Sequence, residues 1–373
     1  MSGTFPDQVY TGRAALQQRV LPVYRVPFFD HLAETCPGGL SVFAGDARDD
    51  ESILAGVELQ IAAFTPAKNR HFLRGTAYLC RQPNILEWLE AWDPEVLILE
   101  ANPRYPDNWR AQRWMHSRNR PVIGWGLGAV PASGLTGLMR RAVRSGYLRQ
   151  FDGIMVYSTQ GAALYREAGF PPDRVFVAPN AVVSRNRFHS INRGCRNDDP
   201  VVLFVGRLQA RKRIDSLLRV CAKIETPFQL WVVGDGPERN RLEMLAGEVF
   251  PGTRFFGALQ GEELDALFER ADLFVLPGTG GLAVQQAMAA GLPVIVAEAD
   301  GTQQDLVRDS SGWLIPPRSH AALRQALEEA LSDRNRLQAM GVEGQRIVRE
   351  KASIERMAEV FHNAMSTISR MVR

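Results

Sequence analysis

The chain has 373 residues, of which 45% are hydrophobic and 23% charged, and its net charge is +3. This is the make-up of a globular protein long enough for two domains, and it is too weakly basic to argue for nucleic acid binding. The four cysteines, Cys36, Cys80, Cys195 and Cys221, form no close pair and no metal-ligand spacing, so they read as free thiols in a reducing, cytoplasmic compartment.

The opening MSGTFPDQVYTGR lacks the apolar core of a signal peptide, and no apolar run approaches the roughly 20 residues of a membrane span. Residues 1–39 show no clear period; Arg25, Asp30 and His31 interrupt a run of apolar and aromatic residues. Beyond them, apolar runs predict strands at 40–44, 57–64, 95–99, 121–125, 151–157 and 175–178, with helices at 84–91, 106–119 and 160–168 between some of them. Alternating strands and helices predict an α/β protein with a parallel, doubly wound sheet. Ligands of such sheets bind beyond the carboxyl ends of the strands, where Glu100, Asn102, Arg104 and the 125–128 loop fall. Glu100 suits a base or a hydroxyl-binding group there; a helix cap or the partner of a nearby arginine is the plainer role.

The stretch 135–150 carries Arg140, Arg141, Arg144 and Arg149 and no acid, opposite an apolar face of Leu135, Leu138, Met139, Ala142 and Val143. A basic amphipathic helix can lie on anionic lipid, although a solvated face over an ordinary core gives the same pattern. Residues 183–200 are polar and aperiodic and read as an interdomain linker.

The second half opens with a predicted strand at 201–205 that runs into Gly206, Arg207 and Leu208, followed by Arg211, Lys212, Arg213 and a helix from 214. Basic groups at a strand-to-helix turn suit a phosphate, which takes charge from the side chains and N–H donors from the helix start. On its own, such a turn more often faces solvent. A strand at 229–233 ends in Gly-Asp-Gly-Pro at 234–237, and a short strand at 254–256 and a helix at 262–269 follow. The stretch 271–296 then reads as strand (273–276), glycine loop (Gly278, Thr279, Gly280, Gly281), helix (282–290) and strand (294–297), one parallel crossover unit. Its glycines let backbone N–H groups face an anion, or simply make a tight turn. A turn and strand at 307–316 and helices at 319–331, 335–350 and 354–372 complete the chain.

The run of GRL…K, GDGP, ADLFVLP, QAMAAGLPVI and DGTQQDLV resembles the retaining glycosyltransferases of family 4, specifically from about residue 201 to 352. Over the N-terminal half only Pro179-Asn180 matches the family pattern. The resemblance implies a GT-B fold: two Rossmann-like domains facing across a cleft, with a nucleotide-sugar held mainly by the second. Domains are expected at 1–182 and 201–352, with the linker at 183–200 and a terminal helix, 353–373, crossing back to the first domain. The resemblance implies that Arg207 and Lys212, in the turn opened by Gly206, hold the donor diphosphate and stabilise the leaving group. Gly280, Gly281 and Leu282 would lie under the sugar and diphosphate, Gly234 and Asp235 would be architectural, and Gly301 and Thr302 would approach the nucleotide. It implies no cofactor and no metal; the partners are a nucleotide-sugar donor, a glycan, glycolipid or small-molecule acceptor, and an anionic membrane surface.

The sequence departs from the family's Glu-x7-Glu signature. Gln286 stands at the second position, which binds ribose hydroxyls, and Gly278 at the first, which contacts the donor sugar. A glutamine oxygen can accept from a hydroxyl, but without the charge that roughly doubles such a bond. Trp125-Gly126-Leu127-Gly128 offers no histidine where many members carry one. Glu100 and Glu298 are the nearest replacement carboxylates by strand-end reasoning. The expected function is retaining glycosyl transfer in surface polysaccharide or glycolipid assembly, in the cytoplasm or on the inner membrane face. The alternative is a catalytically silent GT-B protein that binds a nucleotide or serves as a partner subunit. An epimerase would want paired carboxylates and a phosphorylase a cofactor lysine; neither pattern is found.

Overall fold

The computed structural model describes residues 9–48, 51, 58–73, 75, 78–127, 146–188 and 199–372. Arg140, Arg141 and Arg144 of the basic stretch, Cys195 and most of the 183–200 stretch lie outside the described residues. The chain divides into two compact units, Met1–Pro179 with Ile354–Arg373, and Asn180–Ser353.

The first unit carries β1 (Ala14–Val20), β2 (Leu40–Gly45), β3 (Ala63–Pro66), a short antiparallel pair β4 (Arg70–Phe72) and β5 (Leu79–Arg81), then β6 (Val96–Glu100), β7 (Val122–Gly126), β8 (Gly153–Val156) and β9 (Val175–Val177). Its main sheet is parallel, in the order β3-β2-β1-β6-β7-β8-β9. The chain direction across the sheet therefore reverses between β1 and β6, the place where such sheets open a crevice.

Two elements of the unreadable first 39 residues now have an explanation. β1 reads AALQQRV, and its glutamines hide a central strand. Gln17 and Gln18 are buried, and the Gln17 amide donates to Gln82 Oε1 at 2.7 Å. A buried amide is tolerated because it is satisfied, not because the pattern announces it. The helix Val26–Glu34 follows, burying Phe28, Phe29 and Leu32. The strand expected at 57–64 is corrected to Ala63–Pro66. The carboxylate of Asp30 takes the backbone N–H groups of Gln60, Ile61 and Ala62 at 2.9–3.1 Å, so they are not free to join a ladder.

The last helix, Ile354–Val372, packs in this first unit. Phe361 sits edge-on to Phe28 (4.9 Å between centroids) and to Trp125 (5.1 Å). His362 accepts the Tyr10 N–H at Nδ1 (3.1 Å) and pairs with the Thr35 hydroxyl at Nε2 (2.9 Å). No helix among the described residues is long and apolar enough to cross a membrane.

The second unit carries β10 (Val201–Val205), β11 (Gln229–Val233), β12 (Arg254–Gly257), β13 (Leu273–Leu276), β14 (Val294–Ala297) and β15 (Gly312–Ile315), in the parallel order β12-β11-β10-β13-β14-β15. The reversal falls between β10 and β13. The strands at 201–205, 229–233, 273–276 and 294–297 start and end where their apolar runs do, because both faces of these strands are buried.

Candidate active site

The loops leaving β10 and β13 diverge from the switch point, and Lys212 joins them. The β10 loop turns through Gly206 and Arg207 into a short 3-10 turn, Ala210–Lys212, and Arg213 (φ 58°) then starts the helix Ile214–Cys221. The β13 loop runs Pro277 to Leu282 and enters the helix Ala283–Ala289. Lys212 is only 5% exposed; its Nζ donates to the Thr279 carbonyl at 2.9 Å and to the Gly280 carbonyl. An ammonium has three donors, so one remains for a ligand. Burial, with help from Arg211, pushes its pKa down to about 8, against the pull of Asp300.

The two loops are also joined by backbone. Thr279 N–H donates to the Arg211 carbonyl at 3.0 Å. A Cβ on Gly278 would stand 2.2 Å from the same carbonyl oxygen. Gly278 is therefore a close-approach glycine, with no room for the glutamate that the family signature aligns there. Gly281 (φ 142°) needs the left-handed region, and a Cβ there would stand 3.1 Å from Lys212 Nζ. Gly234 presses on the Gly206 carbonyl, which locks the Gly-Asp-Gly-Pro turn to the Arg207 turn.

Arg207 is half-buried, and its Nε is enclosed without a hydrogen-bond partner; no carboxylate pairs with it among the described residues. An enclosed, unmatched N–H costs stability, and an acceptor arriving from outside would relieve that cost. Gly206, Arg207, Lys212, Gly280 and Gly281 thus belong to two adjoining loops at the point where the strand order reverses. Leu282 caps the next helix, and Gln286 lies on it, half-buried.

Two residues of this region escaped sequence reasoning. Gln285 is buried and its Oε1 has no partner. Asp300 acts electrostatically on Lys212 and accepts the N–H and hydroxyl of Thr302 at 3.2 and 2.6 Å. Glu298, the expected carboxylate, is exposed, with its backbone N–H given to the Ile315 carbonyl. Of the two acids that follow β14, Asp300 is the one that acts on the lysine.

Glu100 belongs to the other unit, at the end of β6. Its Oε2 is enclosed without a partner, and burial pushes the carboxyl up to about 7, against the opposing influence of Arg19, Tyr105 and Arg25. A carboxyl poised there can exchange a proton at neutral pH. Beside β1 and β6, a cavity of about 320 Å³ is lined by Arg19, Arg48, Glu51, Gly75, Tyr78, Asn102, Arg104 and Tyr105. Trp125, expected at a ligand-facing strand end, is instead a core residue, 1% exposed, with the Arg25 guanidinium 4.6 Å from its ring. Gly128 lies outside the described residues.

Residues 187–347 match the family model described as "Glycosyl transferases group 1". A GDP-mannose-dependent alpha-mannosyltransferase of Mycolicibacterium smegmatis is 36% identical over 141 residues, 37% of this chain and 36% of that protein. A GDP-mannose-dependent alpha-(1-6)-phosphatidylinositol monomannoside mannosyltransferase of Mycobacterium tuberculosis is 27% identical over 252 residues, 63% of this chain and 64% of that protein. The chain spans 29–38% of the length of the first curated relatives it matches. Among solved structures, Anabaena Alr3699/HepE in complex with UDP superposes with a TM-score of 0.75 at 15% identity, covering 95% of this chain and 99% of that one. With the two parallel sheets, this likeness shows the fold: GT-B, built of two Rossmann-like units.

Proposed function

We propose that the protein is a glycosyltransferase that moves a sugar from a nucleoside diphosphate sugar to an acceptor hydroxyl, with retention at the anomeric carbon. One observation carries the reading: an unpaired, half-buried Arg207 next to a buried Lys212 with a donor to spare, at the switch point of a parallel sheet. The group 1 match covers this turn, and relatives named for GDP-mannose and a fold relative holding UDP support a nucleoside diphosphate there.

In this reading the acceptor oxygen attacks the anomeric carbon on the face the diphosphate leaves. The bond from that carbon to the phosphate oxygen breaks, and the acceptor proton passes to the departing phosphate. Arg207 and Lys212 neutralise the charge that builds there, so no metal is assigned. Gly206, Gly280, Gly281 and Leu282 lay backbone against the diphosphate and sugar, Gly234 holds the turn in place, and Gln286 accepts from a ribose hydroxyl. The acceptor is a glycolipid or glycan met on the cytoplasmic face of a membrane; the lipid named for the Mycobacterium tuberculosis relative supports the glycolipid.

A second reading, a nucleotide-binding protein without turnover, is favoured by Gly278, whose packing excludes a glutamate. A panel of UDP-, GDP-, ADP- and TDP-sugars separates the two. A donor at 100 times its dissociation constant adds about 2.7 kcal/mol to stability. The transferase reading expects one donor to raise the melting temperature and to be slowly hydrolysed, both effects weakening in Arg207→Ala. Binding with no turnover, even with acceptors supplied, selects the second reading; no binding to any donor refutes both.

A further inference from the structure

We propose that the cavity beside β1 and β6 binds a phosphate group carried by the acceptor, with Arg104 as its principal ligand. Calling that ligand the acceptor rests on the transferase reading; the phosphate site itself does not. The cavity lies wholly within the first unit, at the carboxyl end of its sheet where the strand order reverses, and its 320 Å³ is enough for a sugar phosphate.

Its wall is cationic and held in place. Glu51 receives Arg19 at 2.7 Å and Arg48 at 3.3 Å, so one carboxylate fixes two guanidinium groups. The Arg48 guanidinium also lies 5.0 Å from the ring centre of Tyr78. Arg104 is exposed at the mouth, and among the described residues no acid pairs with its side chain. Glu51 is shared by Arg19 and Arg48, and Glu100 also lies within electrostatic reach of Arg19, so among the described residues Arg104 is the guanidinium left to meet a phosphate. A neutral sugar would leave Arg104 without a counter-charge, whereas guanidinium forks fit phosphate oxygens in pairs. Because the wall is already ordered by Glu51 and Tyr78, little is lost in fixing it on binding.

The test is run on the full chain carrying Arg207→Ala, so that the turn after β10 does not contribute. Glucose 1-phosphate is titrated by calorimetry, and phosphatidylcholine vesicles containing phosphatidic acid are scored by flotation. Adding Arg104→Ala is expected to weaken at least one of them by about tenfold, the equivalent of one charge-assisted hydrogen bond, and Arg104→Lys to restore part of it. Loss for glucose 1-phosphate alone identifies a soluble phosphorylated acceptor; loss for the vesicles alone identifies a lipid phosphate. The proposal is overturned if neither probe binds, or if binding is indifferent to Arg104. UDP binding, measured with native Arg207, should be unchanged by Arg104→Ala. Were UDP not to bind at all while the probes depend on Arg104, the transferase reading would fail and the phosphate site would stand.

Discussion

Lys212 combines two properties that usually conflict: it is buried, and among the described residues it has no carboxylate in hydrogen-bonding contact, only carbonyls. Its ammonium therefore loses protons near pH 8 in the free protein. A diphosphate placed beside it favours the charged form and raises that pKa. Binding of a nucleoside diphosphate sugar, whose esterified phosphates do not titrate in this range, should take up about 0.8 proton at pH 8.5 and almost none at pH 6.5. Calorimetry in buffers of different ionisation enthalpy reads this directly, and Lys212→Met should abolish the uptake. Gly278 makes a separate prediction. Its Cβ position is blocked by the Arg211 carbonyl, so Gly278→Ala must pry the two loops apart. A loss of about 1–3 kcal/mol in denaturant unfolding, together with weaker UDP binding, is expected. Equal stability and binding would show that the loops are not held as described. The basic turn and the glycine loop were legible in the sequence as local patterns. Their meeting at Lys212 was not, since 67 residues separate Lys212 from Thr279.

Among the elements, the terminal helix Ile354–Val372 is the most exposed to pH. His362 is buried, faces Tyr10 N–H, Thr35 and His31, and its pKa is driven down to about 4 by burial and by His31. The folded state needs it neutral. Its contribution is full above the unfolded value of about 6.5 and is lost as pH falls from there to 4, by up to about 3 kcal/mol. Glu100 acts in the opposite sense: with its pKa raised to about 7, it favours folding at low pH and loses that benefit as pH climbs through 7. Comparing His362→Gln with the native chain separates the two. The urea midpoint of the native chain should fall more steeply between pH 6.5 and 4.5 than that of the variant; parallel falls would mean that the histidine is not held neutral. The same helix was legible from its apolar spacing, whereas β1 was not, because its buried amides depend on Gln82, a residue far along the chain.

For the whole molecule, the consequence is a first unit made of two separate pieces of sequence. Ending the chain at Ser353 would strip that unit of Met357, Phe361, Met365 and Ile368, each at most 0% exposed. At roughly 1.5–3 kcal/mol for each buried side chain, the loss approaches or exceeds the stability of a typical domain. The truncated protein should show one cooperative thermal transition, from the unit Asn180–Ser353, and rapid proteolysis before residue 180. A first unit that stays protected would show that the helix is dispensable.

The sequence alone determined the α/β class, the strands of the second unit and the basic turn, because those strands are buried on both faces and, unlike β1, fill them almost entirely with apolar side chains. It also carried the likeness to the glycosyltransferases through motifs that are local in the chain. Only the tertiary structure decided that Gly278 is a close contact, that Trp125 is core, that Asp300 acts on Lys212, and that Arg104 lines a cavity with Arg19 and Arg48. Each of those depends on which distant backbone or charge a residue meets, and spacing along a chain does not encode that meeting.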